Sequence, residues 1–319
     1  MVCRKNKRME KINLRNIAII GAGLMGLGIG VEYARFGYNV KLYNTNNTSS
    51  KLAIKHAHEI IDLMIEAKLI TLCESYAILK CLNTTCDIND ATRGADLVVE
   101  SVPENLQLKQ KIFTNLDEIC PPTTILCTDT SGLRVTDIAR YTRHPERILA
   151  THYTQPPHFV PLVEVVPGEK TDPDIIIFVA GMLKKMHKMV VITKDTPQFI
   201  QNRIQGAIGR ECQLMVDEGL ATPETIDDVI CFGFGRRMAY SGYFKRLDLV
   251  GLDFFCKNTG NVNYHPWKSI VEHVEHGELG MKTGKGFHEW PEQKRKIFLH
   301  WYHTELIRLM MQDLERGDI

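Results

Sequence analysis

Long uninterrupted apolar runs, an excess of charge of one sign, paired cysteine motifs and low-complexity linkers are all missing from this chain of 319 residues. Each absence removes a class of protein. Lys and Arg total 39 against 38 Asp and Glu, a formal net charge of +1. That balance gives no electrostatic reason to expect a nucleic acid or an anionic membrane as partner. The nine cysteines are scattered, and the closest pair, Cys81 and Cys86, has no usual zinc spacing. They read as reduced thiols, which places the protein in the cytoplasm. The basic stretch Arg4 to Arg8 is followed by no apolar core or small-residue cleavage site, so it reads as a frayed tail and not a secretory signal. The run from Ile17 to Val31 is nearly all apolar, yet it is too short to span a bilayer and five glycines interrupt it.

Those glycines have another use. Ile17-Ala18-Ile19-Ile20 is a short β-branched strand, followed at once by Gly21-Ala22-Gly23-Leu24-Met25-Gly26 and an Ala/Gly-rich helix to about Phe36. Further strand-like runs are Asn39 to Tyr43, Leu97 to Glu100, Thr124 to Cys127, Ile148 to Thr151, Leu162 to Val166 and Met189 to Ile192. Helical stretches, including Leu52 to Leu69 and Leu106 to Ile119, separate most of them. The alternation predicts a Rossmann-type doubly wound α/β fold with a mainly parallel sheet. After Asp195-Thr196-Pro197 strand signals nearly vanish. Helical periodicity runs from Phe199 to Gly219, from Pro223 to about Cys231, and from Lys294 to Gln312, where Phe298, Tyr302, Leu306 and Met310 share a face. The boundaries expected are therefore 1–196 for a dinucleotide-binding domain and 197–319 for a smaller all-α domain.

The glycine fingerprint carries weight because a strand precedes it and a helix follows, which aims a helix N-terminus at a pyrophosphate. Gly21, Gly23, Leu24, Met25 and Gly26 are the expected cofactor contacts. The acid that usually receives the adenosine ribose hydroxyls falls at Asn44, a neutral residue. Asparagine can still hydrogen-bond a ribose, but it lacks the charge that repels a 2′-phosphate. No Arg occurs between Thr45 and Ser50, so NAD is favoured and NADP is not excluded.

Two polar residues stand at the ends of apolar strands: His152 after Ile148 to Thr151, and Glu164 among Leu162, Val163, Val165 and Val166. A carboxylate in that setting is costly to bury without a charged or hydrogen-bonding partner. Paired, the two form a general base whose tautomer a second group sets. Unpaired, they are a surface Glu and a satisfied core His. Gly21, Ser131 and His152 all fall at carboxyl ends of strands, where such sheets bind ligands.

With these residues placed, the chain resembles the 3-hydroxyacyl-CoA dehydrogenase family, closest to its short 3-hydroxybutyryl-CoA type. The likeness rests on the glycine fingerprint, Glu100-Ser101-Val102-Pro103-Glu104-Asn105, Asp129-Thr130-Ser131, His152 to Pro156, Pro161 to Glu164, Lys194 to Arg203, and Gly280-x-Lys282 to Phe287. It implies an NAD-dependent dehydrogenase in which His152 is the acid–base group and Glu164 orients it. It also implies that Ser131 and Asn202 hydrogen-bond the substrate oxygen, that Glu104, Lys109, Ser131 and Lys282 contact NAD, and that the helical domain makes a homodimer. Glu104 and Lys109 can equally be a solvated helix cap, Asn202 a capping or packing residue, and Lys282 the ornament of a Gly-rich turn. Asp129 stands where relatives have Asn, Gly132 where a second Ser is common, Gln155 where they have Asn, and Gln198 where Gly is usual. No residue is assigned to CoA, although Lys51, Lys55, His56, His58 and Lys68 lie on or beside one helix.

Two further readings are carried. Pro156 to Glu164 also resembles gulonate dehydrogenase and its lens-crystallin relative, which implies a free β-hydroxy acid of the gulonate or carnitine type, with Arg236-Arg237 as a carboxylate clamp. A non-catalytic nucleotide-binding body is the third. No metal is expected: His273/His276 and His300/His303 are helix-spaced but lack acidic or cysteine partners.

Overall fold

The computed structural model describes residues 14–256 and 266–318, so the basic stretch Arg4 to Arg8 lies outside the described residues. Residues up to Ala207 and residues from Ile208 onward form two separate units.

The first unit is built on β1 (Asn16–Ile20). Its residues Ile17 to Ile20 are buried on both faces, as a central strand of a parallel sheet requires. The glycine turn leads to α1 (Leu24–Arg35), β2 (Asn39–Tyr43), α2 (Asn47–Glu66), α3 (Leu72–Cys81), β3 (Leu82–Thr85) and α4 (Ile88–Thr92). The chain then crosses back through β4 (Leu97–Glu100), α5 (Leu106–Ile119), β5 (Ile125–Thr128), α6 (Val135–Ile138), β6 (Ile148–Tyr153), β7 (Leu162–Pro167), α7 (Pro173–Lys185), β8 (Met189–Ile192) and the first residues of α8 (Gln201–Asp217), whose residues from Ile208 belong to the second unit. The eight strands lie in the order β3-β2-β1-β4-β5-β6-β7-β8. All pairs are parallel except β6 with β7. The order reverses between β1 and β4, and a ligand crevice opens beyond the carboxyl ends of strands at such a point.

Strand alternation divides the core between the two faces of the sheet. Ile17 and Ile19 pack with Ile29, Ala57 and Ile61, whereas Ala18 and Ile20 pack with Phe113 and Leu116 of α5. The expected doubly wound, mainly parallel sheet is observed. Helix α2 starts five residues earlier than periodicity suggested, because the Asn46 side chain accepts the Ser49 N–H at 2.9 Å and caps it. Helix α3 and the edge strand β3 are additional elements. The former is opened by a reciprocal capping box between Thr71 and Glu74.

The second unit holds α9 (Pro223–Asp228), a π turn at Val229–Phe234, α10 (Gly235–Val250), α11 (Leu252–Cys256), α12 (Lys268–Glu275) and α13 (Glu292–Arg316). Its centre is tied to Asp248, fully buried, which accepts the Phe287 and His288 N–H groups and the Trp290 indole. Gly280 and Gly286 pass so close to Asp248 that a Cβ on either would meet it within 2.4 Å. On α13, Phe298 and Tyr302 stack at 5.8 Å and Tyr302 is buried, while Met310 is exposed. Among the described residues no helix is long and apolar enough to cross a membrane.

Candidate active site

The turn after β1 shows what each glycine does. Gly21 has φ 97°, and its N–H, with that of Ala22, donates to the Tyr43 carbonyl at the end of β2. A Cβ on Gly21 would lie 2.7 Å from the Ser101 carbonyl oxygen, and one on Gly26 would lie 2.0 Å from that of Gly21. A Cβ on Gly23 would meet nothing within 4 Å. The first and third glycines thus serve the protein's own packing, and the second leaves open space over the N-terminus of α1, where no side chain caps the helix. Asn44, just past β2, is buried, and its Nδ2 has no hydrogen-bond partner. A buried amide left this way costs about 1–3 kcal/mol unless a ligand meets it. An open turn at a helix N-terminus with an unmet polar group at the ribose position fits a dinucleotide.

His152 and Glu164 are directly opposed across the antiparallel β6–β7 pair. His152 Nδ1 lies 2.9 Å from Glu164 Oε2, and both side chains are buried. The other carboxylate oxygen accepts the N–H groups of Ile200 and Gln201, each at 3.1 Å, at the start of α8. Burial would raise the Glu164 carboxyl, but its bonds to His152, Gln201 and Ile200 outweigh that and hold it below the usual carboxylate range. Phe199 lies against the imidazole at 5.7 Å between ring centroids. With Nδ1 taken by Glu164, Nε2 is the nitrogen left for proton exchange.

The approach to α8 is bent. Gln198 and Phe199 have φ of 64° and 48°, a region where glycine is at ease and other residues are strained. A glycine at 198 would suit this backbone; this chain accepts the strain of Gln198, whose N–H donates to the Gly132 carbonyl.

The loop after β5 is organised by Glu104. Its Oε1 accepts the Thr130 hydroxyl at 2.6 Å and the N–H groups of Ser131, Gly132 and Leu133 at 3.1, 2.9 and 3.3 Å. Burial opposes its ionisation, yet Thr130, the charge of Lys109 and the backbone donors keep its carboxyl low. Asn202 donates from Nδ2 to the Ser131 carbonyl. Behind this loop Lys109 is 1% exposed, 2.7 Å from Glu100 Oε1 and 3.5 Å from Glu104 Oε2. It is neither a surface charge nor open to a ligand; it holds Glu100 and Glu104 in place.

Gly23, Leu24, Met25, Glu104, Ser131, His152 and Asn202 line one cavity of about 760 Å³ within the first unit. Gly21, Gly26 and Glu164 stand behind that wall, and Asn44 lies beyond β2. Lys282 belongs to the second unit, where its ammonium is 2.7 Å from Asp253. Arg236 is likewise engaged in that unit, paired with Asp313 and stacked at 4.9 Å over Phe232. Sequence reasoning missed three participants, Gln201, Gln205 and Thr154. Gln201 and Gln205 line the cavity from α8, and Thr154 donates to Gln201 at 2.6 Å. Asp129 accepts the Tyr153 N–H and the Ser101 hydroxyl, each at 3.0 Å.

A glycine turn at a strand switch point, beside a buried acid–base pair, defines a pyridine-nucleotide oxidoreductase. A family model described as the NAD binding domain of 3-hydroxyacyl-CoA dehydrogenase matches residues 16–196, and one described as its C-terminal domain matches residues 199–290. The chain belongs to the 3-hydroxyacyl-CoA dehydrogenase family, and it is an NAD-dependent oxidoreductase acting on a CH–OH group. It is 33% identical to a 5-formyl-3-hydroxy-2-methylpyridine 4-carboxylate 5-dehydrogenase of Mesorhizobium japonicum, over 89% of this chain and 94% of that protein. It is 32% identical to a probable 3-hydroxybutyryl-CoA dehydrogenase of Bacillus subtilis, over 88% and 99%. Among solved structures, the 3-hydroxyacyl-CoA dehydrogenase of Archaeoglobus fulgidus superposes with a TM-score of 0.75 at 29% identity, over 92% of this chain and 99% of that one.

Proposed function

We propose that the protein interconverts a 3-hydroxyacyl-CoA of the 3-hydroxybutyryl type and its 3-keto form, with His152 as the acid–base residue. The observation that carries this reading is the buried His152–Glu164 pair, anchored by two backbone N–H groups and open on the cavity. NAD would supply the hydride acceptor, and the turn Gly21 to Gly26 together with Asn44 would hold it. His152 Nε2 removes the 3-hydroxyl proton in oxidation and returns it in reduction. Glu164 keeps Nδ1 protonated and offsets the charge that the ring gains. Ser131 and Asn202 donate to the substrate oxygen, where negative charge develops. Glu104 contributes by fixing the loop that carries Ser131, and Lys109 by fixing Glu104. Lys282 is assigned to the cofactor on the family resemblance alone.

A free β-hydroxy acid is the alternative substrate, kept because one relative is named for a pyridine carboxylate. The engagement of Arg236 by Asp313 counts against Arg236 as its carboxylate clamp. The test is NADH consumption with acetoacetyl-CoA, free acetoacetate and gulonate-type keto acids. Turnover of the thioester supports the reading, and turnover confined to the free acids rejects it. The reading includes a cytoplasmic homodimer. Exposed Leu220 and Val229 support self-association through the second unit, and the free state of the described cysteines fits a reducing compartment.

A further inference from the structure

Among the described residues, the four buried acids of the first unit each meet a basic side chain, whereas the half-buried Asp129 on the cavity wall meets none at ion-pair distance. Glu32 meets Lys188 at 3.0 Å, Glu100 meets Lys109 at 2.7 Å, Asp117 meets Arg147 at 2.7 Å and Glu164 meets His152 at 2.9 Å. Asp129 closes β5 and opens on the cavity beside Ser131 and His152. Among the described residues its oxygens meet only two neutral donors, the Tyr153 N–H and the Ser101 hydroxyl. The titratable groups that act on it are Glu100 of β4, His152 and Tyr153 of β6 and Tyr33 of α1; the phenols stay neutral in the working pH range because burial raises them. Burial pushes the Asp129 carboxyl up to about 7, against the pull of Tyr153, Ser101 and His152 and with the repulsion of Glu100.

We propose that Asp129 makes the cavity select by charge, favouring the cationic oxidised nicotinamide over the neutral reduced one and disfavouring a free carboxylate next to the reacting carbon. The carboxyl is held by two neutral donors and, among the described residues, pairs with no Lys or Arg, so its ionisation places in the wall a negative charge that only a protonated His152 offsets. Oxidised nicotinamide carries a positive ring charge and the reduced form carries none, so ionised Asp129 stabilises the first alone. A free 3-keto acid brings a second negative charge within two bonds of the carbon that is reduced. A thioester brings none there. The substrate class that follows is an uncharged acyl derivative. For the substrate this rests on the dehydrogenase reading; for the cofactor it rests on the cavity alone.

The test is calorimetric binding of NAD⁺ and NADH at pH 6 and pH 8.5 to the wild type, Asp129→Asn, Ser101→Ala and His152→Gln, with thermal melts to confirm folding. The ratio of the NADH to the NAD⁺ dissociation constant is expected to rise about tenfold from pH 6 to pH 8.5 in the wild type and in His152→Gln, and to stay flat in Asp129→Asn. Ser101→Ala removes a donor to the carboxylate, so the midpoint of that rise moves to higher pH. Should Asp129→Asn fail to fold, this shift still tests the proposal. In Asp129→Asn the ratio of kcat/KM for acetoacetate to that for acetoacetyl-CoA is expected to rise about tenfold. Equal pH slopes in wild type and Asp129→Asn, a slope lost only in His152→Gln, an unmoved midpoint in Ser101→Ala, or an unchanged substrate ratio would each overturn the filter. A wild type that reduces no carbonyl substrate, yet keeps the pH-dependent binding ratio, overturns the dehydrogenase reading and leaves the cofactor half of the filter standing.

Discussion

Glu164→Gln changes one atom and tests what the carboxylate does for His152. One carboxylate oxygen accepts two backbone N–H groups and the other faces Nδ1. A glutamine must turn its carbonyl to the two N–H groups, because its NH₂ there would set donor against donors. That orientation presents the NH₂ to Nδ1, which must then become the acceptor. The ring proton moves to Nε2, and the nitrogen facing the substrate no longer accepts a proton. The variant also loses the charge that offsets the imidazolium. Two unit charges about 4 Å apart at an effective dielectric near 20 interact by about 4 kcal/mol, or roughly a thousandfold in rate. The expected loss in kcat/KM is therefore about 10³–10⁴, measured as NADH oxidation with acetoacetyl-CoA, while the NADH dissociation constant stays within about twofold. A loss under tenfold in a folded variant would refute the claim that Glu164 sets the tautomer and charge of His152.

The glycine turn separates two kinds of damage. Gly26→Ala forces a Cβ into the Gly21 carbonyl and should destabilise the fold by about 1–3 kcal/mol in chemical denaturation. Gly23→Ala meets only open space, so its melting temperature should hold while NADH affinity drops by about tenfold or more. Lys109→Met strands the fully buried Glu100 without its cation and should cost about 3–5 kcal/mol; a loss below 1 kcal/mol would remove Lys109 as the keystone of the Glu104 loop. Asp117 and Glu164 have carboxyls held below their ordinary values. For Asp117, burial works the other way, but Arg147, the Arg143 N–H and His144 prevail. Their contribution is present above the ordinary carboxylate value and is lost as pH falls through the depressed folded values, so stability should drop steeply below about pH 4. An unfolding free energy unchanged between pH 6 and pH 3 would contradict it.

The most legible parts of the sequence were those where a residue contradicts its surroundings. Glu164 among valines demanded a partner, and His152 one strand away supplied it. Buried parallel strands such as β4 read directly because Leu97 to Val99 are apolar on both faces. Strand β3 escaped because it is short, polar and at the sheet edge, with only Leu82 buried. Helix α10 escaped because Gly235 and Gly242 interrupt it, the latter at φ 63°. Lys109 looks like an ordinary surface lysine at a helix start; only tertiary packing brings it against Glu100. The available signal was Glu100 itself, an acid ending an apolar strand. The strand position of Asp129 was visible, but its lack of a cation depends on contacts from β4 and β6 that no local pattern encodes.

The central claim is that His152 moves the proton, and His152→Gln tests it most directly. Single-turnover reduction of acetoacetyl-CoA, followed by the decay of bound NADH, should slow by at least about a thousandfold while NADH binds within about twofold of the wild type. A folded variant that loses less than tenfold in that step would show that the proton passes through another group.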